Sequence, residues 1–265
     1  MKLTEIYTHP IKTLGGISQV EAKVKERGLE YDRRWMLIDN NGKCITQREI
    51  PAMADLICSV ESDKLRITSK SKAQLNYSIP FVDGLDSQRV NVQVWDSTFE
   101  VAHIDERHDD FFSEAIGQSC RLVAIDSKSQ RNANQLGTGK LTSVSLADAY
   151  PYLIISCASL EDLNSRLKNP VDMIRFRPNL VIEGCGAYEE DAMQDIRIGN
   201  IRFKIVKPCA RCILTTVDPD TYKKGKEPLA TLATYRTIDN QVMFGVNAIA
   251  LDYGEISVGD SVERL

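Results

Sequence analysis

Two cysteines three positions apart, with an arginine beside the second, form the most chemically suggestive stretch of the sequence. Cys209 and Cys212 follow an apolar run that Pro208 is expected to end, and Arg211 stands directly before Cys212. Cysteine thiolates bind metals or act as nucleophiles, and a neighbouring cation favours the thiolate form. The stretch therefore predicts a reactive site at the end of a strand.

The spacing of this Cys-x-x-Cys pair leaves several interpretations open. A zinc site requires a second pair of ligands, and none of the three histidines, His9, His103 and His108, pairs with the cysteines in the sequence. A thioredoxin-like redox pair opens a helix, whereas the residues after Cys212 favour a helix poorly. One thiolate could bind a soft metal or act as a nucleophile, or both cysteines could be buried and structural.

Basic residues next to predicted turns form a second candidate group. They are Lys12, Arg33, Arg34, Arg48 and Arg177. The guanidinium fork recognises phosphates and planar heterocycles, although most exposed arginines are simply solvated. Arg177 is the strongest of these candidates, because a phenylalanine and a proline flank it directly before an apolar run.

Composition and charge restrict the class of protein. The chain has 265 residues, of which 43% are hydrophobic and 26% are charged, as in ordinary globular proteins. Its 33 basic and 37 acidic residues give a net charge of −4, which argues against nucleic acid as the main partner. A local basic pocket is compatible with this balance.

The expected location is the cytoplasm. Seven cysteines are an odd number in a long chain, which is typical of a reducing compartment rather than of a disulfide framework. The first residues lack the apolar core of a signal peptide, and no apolar run approaches the roughly 20 residues of a membrane span. We therefore expect a soluble protein that does not enter the membrane.

The hydrophobic patterns predict a β-rich α+β fold with a few short helices. Many short strands with turns between them occupy residues 1–100, which favours a barrel or sandwich over a parallel sheet. Helices are expected near 105–117, ended by Gly117, and over 160–167, capped by Ser159. Further along, the polar segment 127–139 is expected to form a loop, and 196–206 a hairpin.

Five motifs, in order along the chain, resemble those of MOSC-domain proteins, the family named for the C-terminal domain of molybdenum cofactor sulfurase. They are His9-Pro10-Ile11-Lys12-Thr13, Asp32-Arg33-Arg34-Trp35, and the stretches 158–164, 176–179 and 208–220. The resemblance covers nearly the whole chain and is strongest to amidoxime-reducing components and to bacterial relatives that detoxify N-hydroxylated bases. It implies a β-barrel-like N-terminal domain over 1–117 and a MOSC β-barrel domain over 118–265.

The same resemblance implies roles for individual residues. Cys212 is expected to be the catalytic thiolate that binds molybdenum, and Arg211 to favour that thiolate. The cofactor is expected to be a molybdopterin-type molybdenum cofactor, held by Lys12, Thr13, Arg33, Asp148, Arg177, Ala210, Arg211 and Asn247. A soft thiolate suits such a metal, and lysine and arginine suit the pterin phosphate. Cys209 is expected to be a neighbour whose replacement has a milder effect.

The activity implied by the resemblance is reduction of N-hydroxylated compounds, namely amidoximes, hydroxylamines and N-hydroxylated purines. Electrons are expected from a separate flavin reductase, ferredoxin or cytochrome-type protein, because the sequence contains no Cys-x4-Cys-x2-Cys run of an iron–sulfur domain. The alternative is a carrier of the cofactor or of sulfur, with Cys209 or Cys185 as the sulfur-bearing residue.

Overall fold

The first half of the chain consists of short strands and one helix. The computed structural model describes residues 1–81, 88–134 and 140–265. The helix is α1 (Glu106–Ile116). The strands are β1 (Lys2–Thr8), β2 (Ile17–Gln19), β3 (Glu21–Lys25), β4 (Gly28–Leu29), β5 (Trp35–Ile38), β6 (Leu56–Val60), β7 (Lys64–Ser69), β8 (Asn76–Pro80), β9 (Arg89–Val94), β10 (Ser97–His103) and β11 (Arg121–Ala124).

The second half adds longer strands and two more short helices. The helices are α2 (Cys157–Arg166) and α3 (Leu229–Ala233). The strands are β12 (Asn132–Asn134), β13 (Leu141–Ser143), β14 (Tyr152–Ser156), β15 (Leu180–Glu183), β16 (Asp195–Ile198), β17 (Ile201–Ala210), β18 (Thr237–Ile238), β19 (Gln241–Ala250), β20 (Gly254–Ser257) and β21 (Val262–Arg264). Short 3-10 helices lie at Pro51–Asp55, Met173–Phe176, Glu189–Ala192 and Ile213–Thr216. The predicted β-rich fold with few short helices is confirmed.

Both predicted helices are present, with one corrected start. Helix α1 ends at Gly117, whose φ of 70° places it in the left-handed region that terminates helices. Helix α2 begins three residues before the predicted start, because the hydroxyl of Ser156, not that of Ser159, is its N-cap. The Ser156 hydroxyl accepts a hydrogen bond from the Ser159 backbone N–H over 3.1 Å.

One loop prediction and one strand-end prediction also need correction. The segment predicted as a polar loop, 127–139, contains β12, and its residues 135–139 lie outside the described ranges. Pro208 does not end the strand before the cysteines, since β17 continues to Ala210. The pairing of β17 with β19 shifts register on either side of Pro208, and such irregularities tolerate a proline within a sheet.

The largest sheet joins the two halves of the chain. Its described strands run in the order β2-β1-β15-β14-β19-β17-β16-β21, with β18 attached to β19. Strand β1 pairs antiparallel with β15, while β11 pairs with β5 and β10 in a separate sheet. Strand pairing therefore crosses the boundary expected at 117/118, and the division into domains stays a prediction.

Buried side chains cover both faces of this sheet. One face carries a cluster that includes Leu3, Ile6 and Phe203, and the other packs against α2 and α3 through residues such as Leu163 and Phe244. A further cluster around Trp35 fills the N-terminal half. These apolar layers fix the positions of the strand ends relative to one another. The loops at one edge of the sheet begin and end at these strand ends and are therefore held in place.

Candidate functional site

Five neighbouring strands bring separate parts of the chain to one edge of the large sheet. Ile6 of β1 pairs with Leu180 of β15, so the loop after β1 lies beside the segment that precedes β15. Asn247 of β19 faces Lys207 of β17, close to the end of that strand. The segment before β14 opens at the same edge, because β14 and β15 are parallel neighbours.

All nine sequence-predicted site residues line a single cleft at this edge. They are Lys12, Thr13, Arg33, Asp148, Arg177, Ala210, Arg211, Cys212 and Asn247. They come from six separate segments of the chain. The fold thus brings the nine residues to one place, and their individual roles stay predictions.

Lys12 and Asp148 form an ion pair on one wall of the cleft. The Lys12 ammonium donates to the Asp148 carboxylate over 2.6 Å and to the carbonyl oxygen of Leu146 over 2.9 Å. The indole N–H of Trp95 donates to the same Asp148 oxygen over 3.0 Å. The charge of Lys12 and the hydrogen bonds from Lys12 and Trp95 hold the pKa of Asp148 well below its usual range. The Lys12 side chain is buried, whereas Asp148 is exposed.

Arg33 is held by a buried carboxylate that sequence reasoning did not assign to the site. Asp32 is fully buried and accepts a hydrogen bond from the Arg33 guanidinium over 2.6 Å. The guanidinium also donates to the side-chain oxygen of Asn179 and to the carbonyl oxygen of Arg177. These contacts fix both the position and the direction of the Arg33 cation.

Arg177 supplies a second cation next to Arg33. Its φ of 56° places it in the left-handed region, at the end of the 3-10 helix Met173–Phe176. Its guanidinium donates to the carbonyl oxygen of Leu14 over 2.6 Å. Burial and the charge of Arg33 lower the pKa of Arg177 to about 10. It stays protonated at neutral pH, so two crowded cations remain in the cleft.

His9 connects the segments that carry these cations. Its ring is fully buried, and Nε2 donates to the carbonyl oxygen of Pro178 over 3.0 Å, while its backbone N–H donates to Asp32 over 2.8 Å. Burial, with the charges of Arg177 and Arg33, lowers the pKa of His9 well below its ordinary value. His9 is therefore neutral at pH 7 and acts as a structural bridge.

The hydrogen bonds of the Arg211 side chain are made away from Cys212. Its guanidinium donates to the sulfur of Cys209 over 3.1 Å and to the carbonyl oxygen of Phe176 over 2.5 Å. The hydrogen bond thus goes to Cys209 rather than to Cys212, and the expected influence of the Arg211 charge on the Cys212 thiolate stays a prediction. Within the described residues, the buried Nε of Arg211 has no partner, and neither does that of Arg175 on the same cleft.

The two cleft cysteines differ from the rest in their surroundings. All seven cysteines are free thiols. Burial raises the pKa of Cys44 and Cys120 to about 11 and that of Cys58 to about 12, so these thiols resist ionisation. Four cysteines are partly exposed, namely Cys157, Cys185, Cys209 and Cys212, and of these Cys209 and Cys212 line the cleft. Cys212 stands directly before the 3-10 helix Ile213–Thr216, and its carbonyl oxygen accepts from the Thr215 hydroxyl.

Several further cleft residues were given no individual role from the sequence. Arg175, Lys207, Tyr150, Asn179 and Thr215 line the cleft as well. Arg175 and Asn179 flank Arg177 and could have been found from that motif. Lys207 and Tyr150 carried no distinctive signal, because only strand pairing brings them to this edge.

The cleft concentrates positive charge in a protein of negative net charge. Its lining includes six cations and one carboxylate, that of Asp148. The cations are Lys12, Arg33, Arg175, Arg177, Lys207 and Arg211. Fixed cations with unused donors favour an anionic ligand. Among the described residues, no group of three or more His, Cys, Asp or Glu side chains could hold a metal ion.

The fold and the cleft define a β-rich protein with a thiol at the wall of a cation-lined site, and comparison with known proteins assigns its family. The chain belongs to the MOSC family: the MOSC domain model matches residues 142–263, and the MOSC N-terminal beta barrel domain model matches residues 1–119.

Similar curated proteins cover almost the entire chain. It is 35% identical to mitochondrial amidoxime-reducing component 1 of Mus musculus, over 99% of this chain and 82% of that protein. The human protein of the same name is 32% identical, over 99% and 82%. Molybdenum cofactor sulfurase of Oryza sativa subsp. japonica is 34% identical over 98% of this chain but only 33% of its own length. No helix within the described ranges has both the length and the apolar character needed to cross a membrane.

Proposed function

We propose that this protein is a molybdenum cofactor-dependent reductase of N-hydroxylated compounds, including amidoximes, hydroxylamines and N-hydroxylated purines. The observation that carries the proposal is the convergence of nine expected residues on one cation-lined cleft with Cys212 in its wall. Similarity to amidoxime-reducing components over 99% of the chain supports the same reaction class. In the proposal, residues 1–117 and 118–265 are the two domains, and the cleft lies where their strands meet.

The residues of the cleft fit an anionic pterin cofactor. Lys12, Arg33 and Arg177 would bind its phosphate, since their cations are held in place by contacts to the protein. Among the described residues, the buried Nε atoms of Arg175 and Arg211 have no partner, so each could donate to a further acceptor. The remaining proposed contacts come from Thr13, Asp148, Ala210 and Asn247.

Cys212 is proposed as the metal ligand and Cys209 as its neighbour. A thiolate is a soft ligand that suits a transition metal, and Cys212 is partly exposed at the cleft. When bound, the cofactor would supply two-electron oxygen-atom chemistry. The protein's own residues orient it and exclude other geometries.

The balanced reaction requires a partner. The N–O bond of the substrate breaks, its oxygen leaves as water, and two electrons and two protons are consumed. We propose that a separate flavin reductase, ferredoxin or cytochrome-type protein supplies the electrons. A cytoplasmic location and a role in detoxification belong to the same proposal, although the names of the amidoxime-reducing relatives place those proteins in mitochondria.

The direct test is purification from a host that makes the cofactor. Molybdenum and pterin are quantified, and reduction of benzamidoxime to benzamidine is measured, first with a chemical reductant and then with a reconstituted reductase chain. Repeated turnover with one molybdenum per chain is expected. Full cofactor occupancy without any turnover would reject the reductase.

A carrier of cofactor or sulfur is the second candidate. The hydrogen bond from Arg211 to Cys209 and the similarity to molybdenum cofactor sulfurase favour it. Cys185 is a weaker sulfur site, because burial raises the pKa of its thiol. Transfer of cofactor to an apo-enzyme, or a persulfide found on Cys209 by mass spectrometry, without turnover of benzamidoxime, would identify the carrier.

A further inference from the structure

Trp95 is an exposed aromatic residue that is nevertheless held firmly in place. Its side chain is 50% exposed, and it lies in the turn between β9 and β10 with a left-handed φ of 54°. The Arg48 guanidinium stacks on its ring at 4.6 Å, and its indole N–H donates to Asp148 over 3.0 Å. An indole with this many contacts presents its exposed surface in a fixed direction.

This exposed surface lines a groove that adjoins the cleft. The groove and the cleft share Lys12 and Asp148, so the ion pair of these residues separates the two. On the groove side of this ion pair, Trp95 is the aromatic residue of the groove lining. The rest of the lining is largely polar and includes Arg48 and Glu49. A flat apolar surface within a polar groove suits a planar ring with polar substituents.

A purely structural role does not account for this arrangement. The contacts to Asp148 and Arg48 involve the indole N–H and part of the ring, yet half of the side chain faces solvent. The positive φ of Trp95 is the conformation that a two-residue hairpin turn, such as that between β9 and β10, takes at its first central residue, and it does not by itself assign a function. The exposed ring is thus available for a ligand.

Resting on the function proposed above, we propose that Trp95 determines substrate specificity, by stacking on the planar ring of an N-hydroxylated aryl or heteroaryl substrate. The ring occupies the groove, and the N-hydroxyl group extends past the Lys12–Asp148 pair into the cleft. Substrates without a ring bind the cleft alone. Selection therefore depends on Trp95 and not on the cofactor-binding residues.

The kinetic test compares two substrates that differ in the ring, benzamidoxime and acetamidoxime. Trp95→Ala is expected to lower kcat/KM for benzamidoxime about tenfold, mainly through KM, while acetamidoxime changes less than about twofold. Trp95→Phe keeps a stacking ring but loses the N–H donor to Asp148. It is expected to retain most of the preference for benzamidoxime.

The two variants distinguish stacking of the substrate ring on Trp95 from the hydrogen bond that Trp95 donates to Asp148. If Trp95→Phe and Trp95→Ala lower kcat for both substrates equally, Trp95 only positions Asp148, and the proposal is wrong. Asp148→Asn is the matched variant for that outcome, because it weakens the same hydrogen bond while leaving the indole in place.

A second readout requires no turnover. The sequence has two tryptophans, and Trp35 is only 4% exposed, so a Trp35→Phe variant leaves Trp95 as the one indole fluorophore. Benzamidoxime is expected to quench its fluorescence saturably, and acetamidoxime is not. Saturable quenching without reduction would reject the reductase but keep the stacking site, whereas reduction without quenching would overturn the role of Trp95.

Discussion

The guanidinium of Arg211 donates a hydrogen bond to the sulfur of Cys209 over 3.1 Å, although Arg211 is the sequence neighbour of Cys212. Strand β17 explains the direction. It extends through Pro208 to Ala210, so Cys209 is still within the strand, while Cys212 begins the following turn. The arginine thus donates to one sulfur, and the sulfur of Cys212 lines the cleft without that hydrogen bond.

Replacement of the two cysteines is therefore expected to have unequal effects. Cys212→Ala removes the proposed metal ligand and is expected to lower benzamidoxime reduction by more than about 100-fold, beyond the typical cost of losing an outer contact. Cys209→Ala, the matched control, is expected to stay within about tenfold. Both variants are assayed with molybdenum and pterin content measured in parallel. Full activity in Cys212→Ala would refute its role as ligand.

The buried pair of Asp32 and Arg33 is expected to stabilise the fold as well as the site. Asp32→Ala leaves Arg33 and the His9 backbone N–H without their partner, and breaking a buried pair costs about 3–5 kcal/mol. Urea denaturation measures the free energy of unfolding. Asp252→Ala removes an exposed ion pair with Arg202 and is expected to cost much less, because solvent screens exposed pairs. Equal losses in the two variants would contradict this assignment.

Local patterns were sufficient for much of the fold. The alternating strands, the hairpin at Gly199 and the end of α1 at Gly117 follow from turn chemistry and periodicity. The prediction that Pro208 ends the strand was wrong, since the usual effect of proline on strands was overridden by irregular pairing with β19. Pairing between distant strands, such as β1 with β15, carries no local signal and was not predicted.

The candidate site, like the fold, could be predicted only in part from the sequence. Motif resemblance identified Lys12, Arg33 and Arg177 as expected contacts, but it could not show what holds them. Asp32 was read only as part of a motif, and its buried contact to Arg33 depends on tertiary packing. The direction of Arg211 likewise depends on the backbone of β17 rather than on sequence proximity.

Crowded cations predict that simple anions stabilise the cofactor-free protein. Burial and the charge of Arg33 lower the pKa of Arg177 to about 10, because both disfavour the charged form of Arg177. A bound anion would offset this unfavourable interaction. Pyrophosphate at 100 times its dissociation constant should add about 2.7 kcal/mol, measured by thermal denaturation. Arg177→Gln is expected to reduce this effect by more than half. Arg197→Gln, which removes an exposed arginine paired with Glu263, should leave it intact. An unchanged response in Arg177→Gln would argue against anion binding there.

The neutral state of His9 predicts a loss of stability below pH 6.5. Burial, with the charges of Arg177 and Arg33, depresses the pKa of His9 in the folded state, so the unfolded chain takes up a proton first. Stability therefore falls as pH decreases below 6.5, by up to about 1.4 kcal/mol per pH unit. Urea denaturation between pH 7 and pH 5 measures this slope.

His9→Gln tests the assignment, because the glutamine amide can still donate to the carbonyl oxygen of Pro178 but does not titrate. The variant should show a shallower slope between pH 7 and pH 5, even if its stability at pH 7 is lower. Burial also lowers the pKa of His108, so a residual slope of the same sign is expected. A buried histidine that stays neutral must contribute to the slope of stability against pH. An identical slope in the wild type and in His9→Gln would therefore show that His9 does not limit stability in acid.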